Sequence, residues 1–342
     1  MQVETSYKIT TIGLSTFLKS SNDPLLGLVQ KHDAKKKIYS AQKEAQKFFR
    51  EFDLSDLPRE ADEFATHHAK RTKQKARQQA QEHLSKLWEG KALHGKHPKR
   101  MKDADVDLHR TNQWLMSSGL KAETEGLIIA AQDQSLATRL YHSNIIKDGT
   151  NPLCRMCGKF DESIDHVISG CPELAKTEYI QRHDNAASYI HWKVCQSYDI
   201  KTTDKWYDHK PDTVVENEQA TILWNMPIHT DREIAANKPD IIIRDHTNQK
   251  CQIIDMAVPS DRNTSVKVVE KLSKYKDLEI EIARMWKMGT ETIPVVIGAL
   301  GVIKKGLEKY VDKIPGTVSI DELQKITLLG TARILRRVLS IK

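Results

Sequence analysis

The sequence predicts an α+β chain built from a basic helical N-terminal region, a small CCHC zinc module and a C-terminal α/β domain. Three observations predict it. Residues 33 to 110 are dense in charge, four Cys/His ligands fall within eighteen residues near the middle, and the last third alternates strand-like with helix-like runs. At 342 residues the chain has room for two or three domains, and 39% hydrophobic content supplies cores while leaving part of it solvated. The formal net charge of +7, with 29% of residues charged, favours a polyanionic partner, and nucleic acid is the first to consider. No apolar run reaches the roughly 18–20 residues of a membrane span, and MQVETSYKITTIGL lacks the basic start and apolar centre of a signal peptide. The expectation is a soluble intracellular protein, nuclear or cytoplasmic. Five cysteines, three of them near one histidine, suit a reducing compartment and a metal better than disulfides.

Taken in order, residues 1–110 form a charged helical segment with a linker. DAKKKIYSAQKEAQKFFREF and ATHHAKRTKQKARQQAQEHLSKLWEG carry no internal proline or glycine before the last residue, so they read as long, mostly exposed helices joined at DLSDLPRE. KALHGKHPKRMKDADVD, broken by Gly95 and Pro98, reads as the linker. Lys70, Arg71, Lys73, Lys75 and Arg77 are candidates for tracking nucleic acid, against the alternative of a solvated helix face. Residues 111–150 have the apolar spacing of one or two buried helices and form a helical connector.

Residues 151–200 hold the zinc module and a following helix, YIHWKVCQSY. Cys154, Cys157, His166 and Cys171 have C-x2-C-x8-H-x4-C spacing. The first two thiolates grip an ion from one turn, and the His/Cys pair closes a tetrahedron; four N/S ligands leave no open position, so the expected metal is structural zinc. Arg155 and Lys159, beside the ligands, are candidate phosphate contacts. Cys195 and Cys251 lie outside this spacing and read as buried apolar residues. KTTDKWYDHKPDTVVENE reads as an irregular connection.

In the final domain, residues 215–342, ATILWNMPIH, KPDIIIRD, QKCQIIDMAVP and TIPVVIGAL read as strands, with helices between and after them. If KPDIIIRD and QKCQIID pair as antiparallel strands with the turn at residues 246–249, Asp240 and Asp255 arrive at the same open end. Two such acids can hold Mg²⁺ against a phosphate. Over residues 266–287, Val268, Val269, Leu272, Tyr275, Ile282 and Trp286 form one stripe of a single helix, with Lys271 at its margin, best placed to reach the metal. Asp231 and Glu233 are candidates for a third acid.

These segments, in this order from about residue 110 onward, resemble the C-terminal region of non-LTR (LINE-type) retrotransposon polyproteins that carry a restriction-like endonuclease after the reverse transcriptase. The resemblance implies a PD-(D/E)xK nuclease core with Asp240 and Asp255 on the metal, Lys238 before the first acid, and Lys271 and Tyr275 on the following helix; Ala257 stands where many such nucleases carry their lysine. It implies that residues 1–109 trail the polymerase, and that the activity nicks target DNA to prime reverse transcription. No Y-x-D-D-like motif occurs, so no polymerase activity is expected. The leading expectation is a Mg²⁺-dependent DNA endonuclease with structural zinc, acting on target DNA with element RNA as a further partner. The alternative is a non-catalytic nucleic-acid-binding fragment or domesticated remnant; a protein–protein adaptor built on the charged helices comes third.

Overall fold

The computed structural model describes residues 3–36, 39–54, 57–60 and 62–341, in two compact units, residues 1–92 and 93–342. The first unit is helical: α1 (Val3–Ser20), α2 (Pro24–Lys35), α3 (Ala41–Glu51) and α4 (Ala65–Gly90). Asp23 starts α2 by accepting the Leu25 N–H at 2.8 Å, with Pro24 in the first turn where its missing donor costs nothing. Ile9, Ile12, Phe48, Leu54 and Ala76 make the core. The long basic helix α4 is less exposed than its composition predicts. Ala69, Thr72, Ala76 and Ala80 recur at helical spacing and are buried, and small residues of this kind let a neighbouring helix approach closely.

In the second unit, α5 (Lys96–Met101), α6 (Leu108–Ser117), α7 (Ala122–Gln132) and α8 (Arg139–Tyr141) lead to the cysteine cluster. After it come α9 (Pro172–Ala175) and α10 (Glu178–Ser197), then strands β1 (Val214–Glu216), β2 (Ala220–Trp224), β3 (Ile241–Asp245) and β4 (Lys250–Ala257). Helices α11 (Thr264–Lys274) and α12 (Lys276–Trp286) precede β5 (Gly289–Val296), and α13 (Glu308–Val311) and α14 (Ile320–Ser340) end the unit.

The sheet runs in the order β1-β2-β3-β4-β5, antiparallel except for the parallel β4–β5 pair. Its two faces follow the two-residue period of the strands. Ile241, Ile243, Ile254 and Met256 join the core of α10 and α14, whereas Ile242, Cys251 and Ile253 pack with Tyr275, Leu278 and Ile282. Coverage on both faces explains the unbroken isoleucine run of β3.

Several expectations need correction. The supposed linker contains α5 and belongs to the second unit. There Arg100 donates to both carboxylate oxygens of Asp105 (2.6 and 2.9 Å), to Thr264 Oγ1 (3.0 Å) and to the Asp261 carbonyl (3.1 Å). The irregular connection holds the edge strand β1. The single helix over residues 266–287 is two, broken at Tyr275 (φ −99°, ψ 7°), and Val269, placed on the buried stripe, is exposed because it lies about 100° round α11 from buried Val268. Among the described residues no helix is long and apolar enough to cross a membrane.

Candidate active site and metal centre

The hairpin register is the one the acids require. Ile241 pairs with Ile254 and Asp245 with Lys250, leaving residues 246–249 as the turn. Asp240 and Asp255 therefore stand one residue beyond the last pair, on the two strands at the same end. Asp240 Oδ2 accepts the Met256 N–H at 2.7 Å and faces His183 Nε2 at 3.0 Å. Asp255 Oδ1 accepts the Tyr275 hydroxyl at 2.7 Å, and Asp255 Oδ2 is paired with the Lys271 ammonium. Tyr275, two turns on from buried Val268 and at the end of α11, points inward beneath the acids, with its hydroxyl also 3.2 Å from the Lys238 carbonyl.

The acids differ electrostatically. Burial and the Asp240 charge hold Asp255 above the usual carboxylate range, although Lys271 and Tyr275 oppose them. Burial also works against ionised Asp240, but its bonds with His183 and Met256 prevail and lower it. His183 sits between Asp240 and Asp184 (Nδ1 to Oδ1, 2.9 Å); burial disfavours its charge, and the two carboxylates outweigh burial, pushing it up to about 10. The two carboxylates thus favour the imidazolium form beside Asp240.

Asp240, His183 and Asp184 line a cleft of about 410 Å³ with Trp224 and Arg182. Arg182 is 2% exposed and bonds only neutral oxygens, Thr331 Oγ1 at 2.9 Å and the Val258 carbonyl at 3.3 Å, leaving Nε–H unpaired among the described residues. A Cβ at Gly330 would lie 2.5 Å from Arg182 Cγ, so the glycine makes room for this side chain.

Other candidate residues lie elsewhere. Glu233 is exposed in the loop before β3 and makes no hydrogen bond or ion pair among the described residues, and Asp231 is paired with Arg284 at 2.7 Å. Neither is a third acid of the pair: among the described residues no three-donor cluster includes Asp240 and Asp255. Lys238 contributes its backbone carbonyl to Tyr275 while its side chain is exposed. His183 and Arg182 were not foreseen. The signal was the charged triplet Arg-His-Asp inside the first half of α10, but nothing local says that it faces a hairpin more than fifty residues away.

Cys154, Cys157, His166 and Cys171 form a cluster that can hold a metal such as zinc. Bonds of about 2.3 Å to sulfur and about 2.0 Å to nitrogen at tetrahedral angles set S···S edges near about 3.8 Å and S···N edges near about 3.5 Å. Cys154 Sγ to Cys171 Sγ is 4.0 Å and Cys157 Sγ to His166 Nε2 is 3.4 Å, so the donors fit. Tyr179 braces the His/Cys turn, donating to the Val167 carbonyl (2.8 Å) and accepting the Cys171 N–H (3.0 Å). Burial pushes the Cys154 thiol up to about 11; at Cys157 the N–H groups of Lys159 and Phe160 overcome burial and lower it.

Arg155, expected on phosphate, instead binds Glu162 Oε2 (2.9 Å) and Oε1 (2.7 Å) and the Val338 and Ile341 carbonyls (3.3 and 2.6 Å). Completely buried Glu162 needs that cation, so Arg155 ties the cluster to the end of α14. Lys159 is exposed. On α4, Lys70 and Arg77 are exposed and Lys75 half-buried, Arg71 is paired with Glu63 at 2.6 Å, and the Lys73 stem lies over Gly13 of α1. Compared with known protein families and with curated proteins, the chain matches none.

Proposed function

We propose that the chain is a Mg²⁺-dependent DNA endonuclease of the restriction-like, PD-(D/E)xK kind, related to the nucleases of non-LTR retrotransposons and stabilised by structural zinc at the CCHC cluster. The observation that carries this reading is the convergence of Asp240, Asp255 and Lys271 at one end of the hairpin, beside a cleft holding a buried arginine without a carboxylate partner. Two carboxylates are the hard oxygen donors Mg²⁺ takes, and the remaining positions would be filled by water and phosphate. Bound there, the ion would polarise the phosphoryl oxygens and lower the pKa of a water.

The protein's own groups have separable tasks. Arg182 supplies a desolvated positive charge in the wall of the cleft where a phosphate would bind. His183 orients Asp240, Tyr275 orients Asp255, and Lys271 supplies positive charge where negative charge develops. The DNA target is the principal partner, with Lys70, Lys75, Arg77 and Lys159 available to its backbone and to element RNA.

The test is nicking of supercoiled plasmid with Mg²⁺ by the native chain and by Asp240→Ala and Asp255→Ala at matched zinc content. Each variant should lose at least about 100-fold in rate. Equal nicking by variant and native protein would sink the reading. One observation favours a second reading, a non-catalytic nucleic-acid binder: the Lys271 ammonium already neutralises Asp255, which is 2% exposed. It predicts salt-dependent binding without cleavage.

A further inference from the structure

We propose that His191, Cys195 and His209 form a second zinc site, separate from the CCHC cluster, that fastens the connection after α10 to that helix. His191 and Cys195 lie one turn apart on α10 and present their donors from one face. His209 follows a short 3-10 turn, Trp206–Asp208, and brings its ring back onto them. The three donor atoms lie within 4.8 Å of one another. Cys195 Sγ is 3.5 Å from His191 Nδ1, the S···N edge of a zinc tetrahedron, whereas His191 Nδ1 and His209 Nε2 are hydrogen-bonded at 2.8 Å, so the rings would part to the roughly 3.3 Å N···N edge on binding an ion.

The chemistry of the pocket is that of a soft-metal site. His191 is 0% and Cys195 1% exposed. Two imidazoles and a thiolate select zinc over magnesium or calcium.

An aromatic frame holds the loop in place. Trp192 Nε1 donates to the Thr203 carbonyl at 2.8 Å, Trp206 packs edge-on against Tyr189, and the Trp224 ring meets His191 edge-on at 5.6 Å. Trp224 also lines the cleft beside Asp240, and Arg182 and His183 lie upstream on the same helix. The site therefore braces the element that carries the cleft's cations.

The experiment is zinc content per folded full-length chain, by elemental mass spectrometry after exhaustive dialysis. The native chain should hold two equivalents, and His209→Gln and Cys157→Ser one each. His209→Cys keeps a ligand, so it should retain two and, reconstituted with cobalt, gain thiolate-to-metal charge transfer. One equivalent in the native chain overturns the proposal, as does His209→Gln retaining two. If His209→Gln does not fold, native stoichiometry and the His209→Cys spectrum decide, and an unchanged spectrum also overturns it.

Discussion

Arg182 shows how a single side chain separates binding from scaffolding. It is buried, its ordinary value is pulled down to about 10 by burial, and it stands in the wall of the cleft with its enclosed Nε–H unpaired among the described residues. A guanidinium this desolvated, without a carboxylate partner, is costly for stability alone. Arg182→Met keeps most of the packed volume and removes the charge. It should leave thermal stability equal or higher while weakening DNA binding and lowering the slope of log K against log salt by about one. An unchanged slope, measured by fluorescence anisotropy across a salt series, would reassign Arg182 to packing. At this scale the acids and Lys271 were legible, and the cations of α10 were not. Asp240 and Asp255 flank apolar runs whose alternation and turn fix the register. Lys271 follows on the next helix, whereas His183 and Arg182 reach the site only through tertiary contact.

Among elements, strands declared themselves more clearly than helix breaks. Isoleucine-rich β3 and β4 could hardly be anything else, but the three-residue edge strand β1 is too short to impose a pattern. The break at Tyr275 escaped notice because the hydrophobic period continues across it, and the inward hydroxyl that rewards the break is bonded to groups on other elements. The segment containing α5 reads as a linker because Gly95, Pro98 and interleaved charge break any period. Arg100 instead gathers Asp103, Asp105, Thr264 and Asp261. Arg100→Ala should destabilise the second unit by roughly 2–3 kcal/mol, the scale of lost charge-assisted bonds. Asp105 is held below its ordinary range chiefly by Arg100, against opposing burial. A carboxylate with a lowered folded-state value contributes stability above its unfolded value and loses it as pH falls through the folded one. Urea midpoints should therefore drop below about pH 4 in the native chain. In Asp105→Asn this component of the acid dependence should vanish; an identical acid profile would mean the pair is not coupled to folding.

For the whole molecule, the CCHC cluster was legible as a metal site but not as part of a larger core. Cys154 and Cys171 share one buried cluster with Ala131, Leu300, Ile334, Leu335 and Val338, so these candidate ligands belong to the packing of α14 rather than to a free module. Arg155 adds the bonds to the last turn of that helix and just beyond it. Helix α14 in turn packs through Ile320, Leu323 and Ile326 into the core that supports the sheet. Zinc binding at such a cluster is worth on the order of 10 kcal/mol, and a unit of this size loses about 2–4 °C in Tm per kcal/mol. Cys157→Ser alters a half-buried ligand and leaves both shared core cysteines in place. Even so, it should lower the melting temperature of residues 93–342 by about 10 °C or more and impair nicking in parallel. The first unit has its own core, so its transition should stay where it is. Scanning calorimetry of the full chain distinguishes the cases. A second-unit transition that does not move would make the cluster an appendage and detach zinc from the stability of the proposed nuclease.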